Sequence, residues 1–166
     1  LPEPDQWADW GELVISGSSP VRTGALTSGR NADIDVGTED IWTQGGTWVA
    51  PTAARTHDIV STDANDTAAG TGARTVQVTG LSAAGVSQSE AIAMNGVANV
   101  PTVSTYLFIT SLTVLTAGSG GQNAGVITAT AQVDTTVSSA IAVGENASQM
   151  CIFRVPTSSV AVLYGV

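Results

Sequence analysis

The sequence predicts an all-β protein, a jelly-roll-like β-sandwich with an extended N-terminal arm. Three observations carry that reading. From residue 56 onward apolar and polar residues alternate with the period of half-buried strands. The links between those runs are Gly-, Asn- and Ser-rich, which is turn chemistry. The first 50 residues show no such alternation, and Pro2, Pro4, Pro20, Gly17 and the Gly45-Gly46 pair interrupt them. The expected organisation is therefore an arm over residues 1–50 and a sandwich body over 51–166.

In chain order, the arm holds one short helical turn over Asp5–Leu13. Asp5 is its N-cap, and Trp7 and Trp10 share one face. A turn of that length cannot hold itself and needs a surface to dock on. Gly45-Gly46 reads as a flexible point. In the body, strands are expected at His57–Thr62, Ala73–Thr79, Ser89–Met94, Val97–Pro101 and Thr105–Thr116. Gly125–Val133, Val137–Val143, Gln149–Val155 and Ser159–Val166 follow. Val76 and Val78, Ile92 and Met94, and Val160, Val162, Tyr164 and Val166 show the alternation most clearly. Tyr106–Leu115 is the longest apolar stretch and is expected to be central. Met150-Cys151-Ile152-Phe153 is apolar on both faces and is expected to be a buried strand. Asn95-Gly96 is hairpin chemistry, so Glu90–Val100 reads as a hairpin. Eight or nine short strands with no fixed repeat point to a sandwich or jelly roll rather than a solenoid.

Composition narrows the function. The chain has 166 residues and a formal charge of −9, with only 11% charged residues and no lysine. A phosphate-binding face needs Lys and Arg in numbers, so nucleic-acid binding is excluded as an expectation. One cysteine rules out a disulfide within the chain. Leu1-Pro-Glu-Pro-Asp5 has neither the basic stretch nor the apolar run of a targeting segment, and no apolar run has the length of a membrane-spanning helix. No membrane partner is expected. The charge is uneven: eleven of the fourteen acids and all four tryptophans lie before residue 67.

Each chemically suggestive group has a plain alternative. His57 beside Asp58 resembles a base with its orienting acid, but neighbours on a strand point to opposite faces. Cys151 lies among Met150, Ile152 and Phe153 and reads as a buried structural thiol, without the basic setting of a nucleophile. Asp33, Asp35, Glu39 and Asp40 form an acidic run without the third ligand and distal Glu of a calcium loop. Asp63-Ala-Asn-Asp66-Thr67 is a similarly weak candidate. The acidic run reads as a solvated arm, or as one that meets a partner's basic residues. Asn65-Asp-Thr67 and Asn146-Ala-Ser148 match the glycosylation sequon, which says little by itself. Gly70, Gly72 and Gly118–Gly121 open no helix and are not phosphate loops. Gly70 and Gly72 instead permit a tight turn before the strand at Ala73. Arg74 is expected to anchor that loop on Asp63 or Asp66, and Arg30 to pair with Asp33 or Asp35. No catalytic, metal or cofactor site is expected. Trp7 and Trp10 are expected to anchor on a neighbouring surface, as are Trp42 and Trp48 where they are not core residues.

Several motifs occur in a particular order: Arg30–Gly37 (RNADIDVG), Glu39–Trp48 (EDIWTQGGTW) and Asp66–Val76 (DTAAGTGARTV). Gly80-Leu81, Ser89-Glu90, Met94–Gly96, Val100–Thr102 and Asn123–Thr128 follow. Across residues 30–130 this order resembles a family of small β-rich virion proteins of tailed DNA bacteriophages. The resemblance implies a capsid cement or decoration protein on the outer capsid surface, assembled in the host cytoplasm. It implies the major capsid protein as partner, homotrimers at threefold positions and no catalytic residues. The arm would then staple capsid subunits. A tail, neck or head-fibre component that attaches to the host is the alternative. A carbohydrate-binding or hydrolytic domain is disfavoured, because residues 67–166 hold no tryptophan and three acids.

Overall fold

Alternating Val, Ile and Thr side chains cover one face of a pleated strand and leave the other to water. The chain uses that pattern throughout the computed structural model, which describes residues 28–158 apart from Asp33 and Asp35. The described residues contain no helix. Seven strands form: β1 (His57–Ser61), β2 (Ala73–Leu81), β3 (Ser87–Ala93), β4 (Val100–Pro101), β5 (Phe108–Ala117), β6 (Ile127–Ala131) and β7 (Val137–Ile141). They make two antiparallel sheets, ordered β4-β1-β6-β7 and β3-β2-β5.

The sheets meet mainly through one large core. Ile59, Ile127, Ala129 and Ile141 of the first face Val76, Val78, Ile92, Ile109 and Leu112 of the second, all buried. Register explains the match: Ile59 lies opposite Ala129 on β6, and Val78 opposite Leu112 on β5. The protein is thus an all-β sandwich of four strands on three. A jelly roll has eight strands. The ninth expected strand, Ser159–Val166, lies outside the described residues, as does the expected turn over Asp5–Leu13.

Three local expectations are corrected. Glu90–Val100 is not a hairpin, because β3 pairs with β2 while β4 pairs with β1. Asn95-Gly96 instead turns a corner between the sheets. Gly96, at φ 62°, donates its N–H to Asp66 O at 2.6 Å, and its own carbonyl accepts Ser61 N at 3.0 Å. Gln149–Val155 is not a strand. Met150 is buried there and Ile152 packs half-buried beside it, while Cys151 and Phe153 are exposed. Cys151 is therefore not a buried thiol.

Candidate functional site

The acidic segment before β1 has almost no strand pairing of its own, so side chains must hold it in place. Trp42 bridges Met150 across the sandwich edge and is buried with Leu81, Phe108 and Met150 in a second core. Trp48 lies edge-on to Phe108, with ring centroids 5.5 Å apart, and its Nε1 donates to Ser138 O at 3.0 Å. Cys151 N donates to Ile41 O at 2.8 Å. Trp42 and Trp48 thus anchor residues 41–48 on the chain's own body, the core placement that the sequence leaves open for them beside a neighbouring surface. Trp7 and Trp10 lie outside the described residues.

The acids of this segment act mainly as local acceptors. Glu39 Oε2 accepts from Asn31 Nδ2 at 2.6 Å and from Gly46 N at 3.2 Å. Asp40 Oδ2 accepts from Trp48 N at 2.8 Å, and Asp40 N donates to Gly46 O at 3.0 Å. Gly45 and Gly46 both have φ near the left-handed region, at 67° and 66°. This pair is a defined reverse turn that folds residues 46–48 back onto Asp40, rather than a flexible point. Arg30 binds Glu145 at 3.0 Å on the surface, while Asp33 and Asp35, its expected partners, lie outside the described residues. Beside exposed Thr38, Gln44 and Thr47, the segment presents four large aliphatic side chains to solvent: Ile34, Val36, Ile41 and Val49 are all more than half exposed.

The loop before β2 is built differently from the expectation. Asp66 is fully buried. Its carboxylate accepts from Ser61 Oγ at 2.6 Å, Ala73 N at 2.6 Å, Ala124 N at 2.8 Å and Gly125 N at 2.9 Å. Those bonds join the end of β1, the start of β2 and the loop before β6. Arg74 does not anchor on Asp63 or Asp66; its Nε donates to Gly70 O at 2.9 Å. Gly70 and Gly72 matter for space. A Cβ on Gly72 would collide with the Asp66 carboxylate, and one on Gly70 with the Asn65 carbonyl.

His57 is also fully buried. Its Nδ1 lies 3.0 Å from Arg55 O, which can only accept, so Nδ1 carries the proton. Nε2 then accepts from Ser138 Oγ at 2.9 Å. Asp58 points elsewhere, taking Gln132 Nε2 at 2.7 Å and Asn99 Nδ2 at 3.2 Å. The pair is no base with its orienting acid. Among the described residues no three His, Cys, Asp or Glu side chains gather as metal ligands. A recess between Arg30, Thr43, Glu145 and Gln149 holds about 20 Å³, room for one water.

Comparison of the chain with family models, curated proteins and solved structures gives no match.

Proposed function

We propose that the protein is a structural component of a phage virion, binding the outside of the capsid and bridging its subunits. The observation that carries this reading is the segment leading into β1. Its residues 41–48 are fixed to the sandwich by Trp42 and Trp48, and Ile34, Val36, Ile41 and Val49 along it are exposed. A pinned segment with outward aliphatic side chains loses little further chain entropy on docking and gains apolar burial. The partner is the major capsid protein, with the acidic residues 1–35 meeting its basic groups. The motif order over residues 30–130 supports the same assignment.

The test is quantitative mass spectrometry of intact particles of the encoding phage. A cement protein is present in many copies, comparable with the number of capsid symmetry positions. A few copies per particle would reject capsid cement and move the chain to a tail, neck or head-fibre position. Purified protein carrying Ile34→Asp and Val36→Asp is expected to lose particle binding while melting at the wild-type temperature.

A further inference from the structure

An asparagine followed by glycine is chemically labile. The glycine nitrogen can attack the asparagine side-chain carbonyl, because no Cβ crowds it. The chain has six asparagines, and only Asn95 is followed by glycine. Asn31, Asn123 and Asn146 precede alanine, while Asn65 precedes Asp66 and Asn99 precedes Val100. The Asn95 residue is exposed.

The fold withholds the attacking atom. Gly96 is buried. Its N–H donates to Asp66 O at 2.6 Å, and its carbonyl accepts from Ser61 N at 3.0 Å. On the other side of the asparagine, Met94 N donates to Arg74 O at 2.9 Å and Met94 O accepts from Ala68 N at 3.0 Å. Asn95 itself bridges Thr67. The main chain is therefore held on both sides of Asn95, by β2, by the end of β1 and by residues 66–68. Ring closure requires that Gly96 N lose its proton and turn onto Asn95 Cγ. Both steps are blocked while that N–H is bonded to Asp66 O.

We propose that Asn95-Gly96 is a covalent modification site gated by this corner, deamidated only in chains whose corner has opened. In the opened corner hydroxide removes the proton of Gly96 N. The nitrogen attacks Asn95 Cγ, and the new C–N bond closes a succinimide ring. Nδ2 takes up a proton from water and leaves as ammonia. Water then opens the ring at one carbonyl or the other, giving aspartate or isoaspartate. Isoaspartate inserts an additional carbon into the main chain between Met94 and Gly96. The bonds to Arg74 and Ala68 on one side, and to Asp66 and Ser61 on the other, then no longer match in register. Opening of the corner is reversible before ring closure and permanent after isoaspartate forms. The modification thus separates chains with an intact Asp66 junction from chains that have lost it, because local opening has its own free energy, below that of global unfolding.

Peptide mapping of the full chain, incubated at mildly alkaline pH both folded and in concentrated urea, tests this. In urea Asn95 is expected to convert before any other asparagine. In the folded chain its conversion is expected to be more than about tenfold slower, since it waits on opening. Ser61→Ala removes one bond to the Asp66 carboxylate and is expected to speed conversion several-fold in the folded chain. Wild type in urea below its unfolding transition gives the same readout without a substitution, as a rate that rises before global unfolding begins. Purified isoaspartate chains are expected to melt below wild type. Equal rates in folded and unfolded wild type overturn the proposal, as does another asparagine converting first in urea. So does a rate that stays flat until global unfolding, or an isoaspartate chain that melts like wild type.

Discussion

Ser61 donates its hydroxyl to the buried carboxylate of Asp66 at 2.6 Å, across the junction where β1 leaves one sheet and the chain turns toward the other. The bond belongs to a larger arrangement. Among the described residues no cation pairs with Asp66, and three main-chain N–H groups and one hydroxyl supply the compensation. A buried carboxylate is tolerated only when its acceptor sites are filled in this way. Sheet-to-sheet packing is non-directional, whereas these four bonds fix which loop meets which. Asp66 thereby sets the relative position of three segments at one end of the sandwich.

Asp66→Asn is expected to destabilise the protein by about 2–3 kcal/mol, because the new NH2 group faces donors and leaves main-chain N–H groups unpaired. Burial alone would raise the Asp66 pKa, but the bonds from Ser61, Ala124, Gly125 and Ala73 outweigh it and hold the carboxyl below its ordinary value of 3.8. A carboxyl depressed by folding contributes stability that is whole above the unfolded value and is lost as pH falls through the folded one. Urea denaturation of both proteins from pH 7 to pH 2 checks this. The difference between them should shrink below about pH 4, and a constant gap would refute the assignment.

The strands were legible where alternation was strict. β1, β2, β6 and β7 fall within two residues of their expected ranges at each end, because Ile59, Val76, Val78, Ile127 and Ile141 sit in period and share one core. What sequence could not supply was long-range. Asn95-Gly96 has the chemistry of a hairpin, yet the same left-handed glycine serves a corner between sheets, and the choice is made by Asp66 and Ser61 some thirty residues away. Met150–Phe153 is apolar throughout, but only Met150 and Ile152 reach the cluster around Trp42, and among the described residues no neighbouring strand covers Cys151 and Phe153. In sequence Asp66 reads only as a weak metal-ligand candidate or as an anchor for Arg74. A signal did exist: a carboxylate preceded by Ser61 and followed by Gly72 has a nearby hydroxyl donor and a glycine without the Cβ that would obstruct it.

His57 is held neutral by burial, which lowers its pKa from 6.5 more than the Arg55 carbonyl, Asp134 and Asp58 raise it. The unfolded chain therefore binds a proton at pH values where the folded chain does not. Stability falls as pH drops below about 6.5, the opposite of a histidine held by an ion pair. The chain has one histidine, so the slope between pH 6.5 and 5.5 is assigned to it, and His57→Gln should abolish that slope. Imidazole nitrogen shifts measured by NMR at pH 6 should show a neutral ring protonated on Nδ1. A ring that titrates at or above 6.5 would contradict the buried geometry.

The turn between β6 and β7 holds two β-branched residues in the left-handed region, Val133 at φ 74° and Thr135 at φ 55°. Such residues are strained there by about 1–3 kcal/mol each. The turn persists because its ends and centre are fixed. Thr135 N donates to Ala131 O at 2.9 Å and Ala131 N to Thr136 O at 2.8 Å. Asp134, between the two strained residues, accepts from Arg55 Nε at 2.8 Å and Thr52 Oγ1 at 2.6 Å. Val133 is 80% exposed, so replacing it removes strain and little packing. Val133→Gly is expected to stabilise the protein by about 0.5–1 kcal/mol, after the added freedom of glycine in the unfolded chain is subtracted. Val86 is the control: it is also exposed, at 61%, but its φ is not positive. Val86→Gly releases no strain and is expected to destabilise by about 0.5–1 kcal/mol. Thermal melts of the two variants should therefore move in opposite directions, and a drop in both would mean that the bonds at Ala131 and Asp134 already relieve the turn.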